Sequence, residues 1–68
     1  MLLPNGSMIK NDVIEAFNKS VQNTDNQHEG GGINWDAVDQ DLHISLGPLY
    51  SLDYLYECLD VLVDNYYV

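Results

Sequence analysis

The sequence predicts an all-α domain of three short helices, and three observations carry that prediction. Apolar residues recur at helical spacing in three separate stretches. Capping and breaking residues bound those stretches, most clearly Asn34 and the pair Gly47-Pro48. Only Leu42 to Leu46 alternates apolar and polar as a strand would, and no second segment offers it a partner. The expected helices run over about residues 8–22, 34–45 and 49–66, the alternative being a strand at about 42–46.

The first helix places Ile9, Val13, Ala16, Phe17 and Val21 on one face. Ser7 or Asn11 is its candidate cap. Glu15 and Lys19 stand at i, i+4 in the favourable order, a pair worth about 0.2–0.5 kcal/mol. The polar, glycine-rich run from Asn23 to Gly32 then reads as a loop, with His28 exposed in it. Counted from Asp25, this loop offers Asp25, Gln27, Glu29, Gly30 and Asp36 at calcium-loop spacing. The match is poor: Gln27 is a weak ligand, Gly32 replaces the usual apolar residue and Asp36 is shorter than the usual Glu. A plain loop is the expectation.

Asn34 opens the second helix as its cap, with Ile33 and Val38 placed to form a hydrophobic staple across it. Trp35, Val38, Leu42 and Leu46 make the expected buried face, with Trp35 as a core anchor. Asp36, Asp39 and His43 share another face, as a solvated set and not a metal site. Gly47 takes the position after the helix, and Pro48 cannot continue it.

The third helix organises the chain. Leu52, Leu55, Leu59, Leu62 and Tyr66 are spaced three, four, three, four, as the a/d seam of a heptad. Tyr56, Val63 and Cys58 widen that seam. Pro48 or Ser51 starts the helix. Cys58 reads as an inert buried thiol, with no neighbouring cation to lower its pKa. Tyr50, Tyr54, Tyr66 and Tyr67 gather at the two ends, and tyrosines are common in interfaces. Asp53, Glu57, Asp60 and Asp64 form an unbroken row of carboxylates on the same helix.

Residues 1–7 read as a vector-derived or disordered leader, with Met8 as a candidate start. The 61 residues from Met8 make a single helical domain that is short of core by itself. With one Cys there is no internal disulfide, and no Cys/His zinc spacing is present. The remaining staple is association. The expected assembly is a homo-oligomer, an intertwined dimer in its simplest form, joined through the seam of Leu52, Leu55, Leu59, Leu62 and Tyr66.

Charge narrows the function. The net charge is −9, and from Ser20 onward there are nine acidic residues and no Lys or Arg. A field of one sign disfavours nucleic acid and anionic membrane as direct ligands. It favours a basic protein surface or a cation. No apolar run approaches the length that spans a bilayer, and a lone Cys fits the reducing cytoplasm. No phosphate loop, nucleophile elbow or zinc-protease motif occurs, so the chain is expected not to be an enzyme and to need no cofactor. Asp53, Glu57, Asp60 and Asp64, with Asp36 and Asp39, are the candidate partner-binding face. Their repeat of about 5 Å per turn approaches the phosphate spacing of a nucleic-acid strand. The competing reading is a structural module whose helices exist to self-associate, the charge serving solubility.

In size, acidity and absence of motifs, residues 8–68 resemble the small acidic proteins of bacteriophages, some of which are nucleic-acid mimics and anti-defence inhibitors. The resemblance is one of character. It implies a binding role and assigns no residue.

Overall fold

The computed structural model describes residues 2–66, and Met1, Tyr67 and Val68 lie outside that range. Three α-helices follow one another: α1 (Asn11–Gln22), α2 (Trp35–Leu46) and α3 (Leu52–Tyr66). A 3-10 turn, Thr24–Asn26, stands between α1 and α2. Among the described residues there is no strand beyond two isolated bridges, Leu2 with Met8 and Gln27 with Ile33. Leu42 to Leu46 is helical, so the strand alternative is set aside.

The helix ends follow local chemistry with some corrections. The side chain of Asn34 accepts from the Ala37 N–H, as a cap should. Ser51 does the same for α3, its Oγ accepting from the Tyr54 N–H at 3.2 Å. α1 begins three residues later than the expected start at 8, and α3 three later than 49. Neither Ser7 nor Asn11 caps α1: Lys10 holds the cap position and contributes no side-chain bond. Its backbone N–H donates instead to the Tyr54 hydroxyl at 3.0 Å, so a distant residue replaces the local cap. Gly47 is not the left-handed residue expected after α2, since its φ is −54°. Glycine is needed there for space: a Cβ would fall on the His43 carbonyl oxygen.

Twelve buried apolar side chains form one core. α1 supplies Val13, Phe17 and Val21, α2 supplies Val38, Leu42 and Leu46, and α3 supplies Leu55, Cys58, Leu59 and Leu62. Trp35 packs on this core half-buried, stacked on Phe17 with centroids 6.0 Å apart. It also meets Tyr66 edge-on at 5.4 Å. Burial pushes the Cys58 thiol above its ordinary pKa, which matches an inert role.

The remaining two core residues, Leu3 and Ile9, precede α1. Leu3 is 3% exposed. A tight turn holds it there: the Leu3 N–H donates to the Ser7 carbonyl at 2.8 Å, and the Gly6 N–H to the Leu3 carbonyl at 2.9 Å. Gly6 has φ +87°, which this turn requires and glycine tolerates. The expected leader therefore joins the fold. Leu3 and Ile9 thus add two apolar side chains from outside the helices to the common core. Leu3→Ala should cost about 2–5 kcal/mol, as for other buried leucines. Leu2→Ala, at an exposed position, should stay within about 0.5 kcal/mol of the parent. Urea denaturation of the two variants checks this; equal, negligible effects would place residues 2–8 outside the folded unit.

Candidate functional site

The candidate site is the outer side of α3 with the flank of α2 beside it. Its geometry follows from how α3 is rotated. Leu55, Cys58, Leu59 and Leu62 point into the core. At 3.6 residues per turn, the side opposite this set carries Asp53, Glu57, Asp60 and Asp64. All four are exposed. The apolar interior thus turns every carboxylate of the row outward.

α2 and α3 run antiparallel, because Trp35 at the start of α2 meets Tyr66 at the end of α3, while His43 meets Tyr56. This register carries Asp39 and Asp36 on α2 past the turns of Asp60 and Asp64 on α3. Asp36 is exposed and Asp39 partly exposed. His43 and Tyr56 form the floor between the two helices, their rings edge-on at 4.9 Å. The His43 Nδ1 lies 3.3 Å from the Asp39 Oδ1. Among the described residues neither that oxygen nor the His43 Nε2 has a hydrogen-bond partner.

No lysine reaches this side. Lys10 precedes α1 and Lys19 lies on it, and among the described residues the only ion-pair contact is His43 with Asp39. The expected Glu15–Lys19 pair is not formed. The row is left as uncompensated negative charge.

The seam proposed for association is divided by the same rotation. Leu55, Leu59 and Leu62 are covered by the chain's own core, while Leu52 and Tyr66 at its ends are 58% and 48% exposed. The tyrosines also serve the fold. Tyr50 donates to both oxygens of Asp12 at 2.9 and 2.8 Å, which raises the phenol's pKa. Tyr54 joins the start of α3 to Lys10 and Met8.

The calcium-loop spacing is not realised as a wrapped loop. His28 and Gly32 close a hairpin-like turn, the His28 N–H donating to the Gly32 carbonyl at 3.0 Å. Gly30, Gly31 and Gly32 all adopt positive φ in it. Among the described residues no three His, Cys, Asp or Glu side chains converge as metal ligands do.

Sequence reasoning missed the polar cluster behind the other face. Asn26 and Ser20 are buried, and the Asn26 amide donates to the Ser20 carbonyl at 2.8 Å, the Ser20 Oγ at 3.0 Å and the Asp41 Oδ2 at 2.8 Å. Ser20 itself donates to the Asp41 Oδ2 at 2.7 Å. The cluster backs a cleft of about 240 Å³ between α1 and α2, lined among others by Lys19, Asp41 and Ile44. Nothing in the spelling of the loop separates Asn26 from Asn23 or Gln27.

No family model, curated protein or solved structure matches the chain. Among the described residues no helix is long and apolar enough to cross a membrane.

The hydrogen bonds from Asn26 and Ser20 lower the pKa of Asp41. A carboxylate with a lowered folded pKa stabilises the fold above its ordinary value near 3.9, and that contribution is lost as pH falls through the lowered value. Asp41→Asn should therefore weaken the protein at neutral pH and flatten its loss of stability between about pH 5 and pH 2. Chemical denaturation across that range checks it; an acid slope equal to the parent's would show that Asp41 is not differentially ionised.

Proposed function

We propose that this protein is a non-enzymatic acidic binding protein that docks its α2–α3 carboxylates on a basic protein surface. In this reading it acts in the cytoplasm and competes for a groove that otherwise holds a nucleic-acid backbone, as a mimic or inhibitor does. The observation that carries the reading is the placement of Asp53, Glu57, Asp60 and Asp64 opposite the core, exposed and without a compensating cation.

The physical argument is one of cost. Carboxylates at i, i+4 destabilise a helix by about 0.2–0.5 kcal/mol per pair. Asp64 adds to this, since it lies in the last turn of α3, where the dipole disfavours an anion. Lysines interspersed in the row would give solubility without that penalty. A concentrated field instead raises the association rate with a cationic surface. In this reading Asp36 and Asp39 extend the field to α2, giving it width as well as length.

Replacing Asp53, Glu57, Asp60 and Asp64 together by Lys tests the reading. The parent should capture a basic protein from a lysate of its native host. Capture should fade toward about 1 M salt, where the Debye length is about 3 Å. The reversed protein should stay helical by circular dichroism and lose that partner. Retention of the same partner by the reversed protein would overturn the proposal.

A further inference from the structure

α3 shows a second stripe beside its carboxylates. Leu52 and Tyr56 stand one helical turn apart and are 58% and 52% exposed. Leu49, 68% exposed, lies in the turn leading into α3. Val63, partly buried, continues the line of Leu52 and Tyr56 along the helix. The stripe lies on the α2-facing flank, since Tyr56 touches His43 there. Asp53, Glu57 and Asp60 border it on the outer side.

Large apolar side chains left in solvent next to one another mark interaction sites when polar groups rim them. Interface hot spots have the same layout, an apolar or aromatic centre with a charged border. We infer that the surface formed by Leu52, Tyr56 and the adjoining carboxylates receives a basic amphipathic helix of a partner protein, its apolar face on Leu52 and Tyr56 and its Lys or Arg residues on Asp53, Glu57 and Asp60. The inference rests on the acidic-face reading above and specifies the form of the partner. The border selects the occupant. A second copy on this stripe brings its own carboxylates against Asp53, Glu57 and Asp60, with no Lys or Arg on α2 or α3 to meet them. A basic helix satisfies both stripes at once. Binding then has two separable parts, one screened by salt and one that salt leaves intact.

Two synthetic peptides of equal length and charge separate those parts: a Lys/Leu amphipathic helix, and a Lys/Gln peptide without apolar residues. Calorimetric titration should find both binding at low salt. The Lys/Leu peptide should bind at least about tenfold tighter, as burial of one large apolar side chain supplies. Only it should remain bound near 1 M salt. The double variant Leu52→Ser, Tyr56→Ser should bring the Lys/Leu peptide down to the affinity of Lys/Gln while remaining folded, since both positions are exposed. Equal binding of the two peptides, or no effect of the double variant, overturns the inference and leaves the acidic-face reading in place. Failure of the Lys/Gln peptide to bind, or its indifference to reversal of the row, counts against the acidic-face reading instead. A dimer seen by sedimentation in the parent and lost in the double variant would assign the stripe to self-association and also overturn the inference.

Discussion

The fold turns on the hydrogen bonds of one buried amide. Asn26 joins three pieces of chain that are otherwise separate: the last turns of α1 through Ser20, the 3-10 turn it belongs to, and the middle of α2 through Asp41. A buried polar group left without a partner costs about 1–3 kcal/mol, so the cluster holds only in the arrangement that satisfies it. The cluster thereby ties α1 to α2 beside the apolar core that Leu55, Leu59 and Leu62 of α3 join. The two donors favour the charged form of Asp41 and so lower its pKa.

The rotation of α3 on that core governs the surface. Cys58 takes an inner place, Leu52 and Tyr56 are left outside, and the carboxylates face directly away from the core. Core and charge are thus two sides of one packing decision. The repulsion along the row is tolerated because solvent screens it, while the apolar face beneath it is sealed. Tyr50 and Tyr54 add directional restraints at the start of α3, tying it to Asp12 and Lys10. These tyrosines fix the helix in the bundle and are not spare interface area.

Leu3 shows how a small chain completes its core. Three helices of 12, 12 and 15 residues supply ten of the core side chains. The stretch before α1 adds Leu3 and Ile9. The shortage of core expected of a chain of this size is met in part from within, and Leu55, Leu59 and Leu62 of the heptad seam lie in that core.

Three helices, the Asn34 cap, the inward faces of α1 and α2, and the acidic row are all legible in the order of residues. These are periodic or nearest-neighbour properties, set by 3.6 residues per turn and by side chains reaching their own backbone. The same periodicity put Asp53, Glu57, Asp60 and Asp64 on one line before any fold was known. Other features depend on how the helices meet. Whether Leu52 or Cys58 lies inside depends on the direction from which α1 and α2 approach, and a helical repeat carries no such direction. Leu3 and Asn26 acquire their roles from contacts with residues distant in the chain, and a turn leucine or a loop asparagine has no periodicity to reveal it. The antiparallel register of α2 and α3 likewise rests on the Trp35–Tyr66 and His43–Tyr56 contacts, between residues distant in the chain.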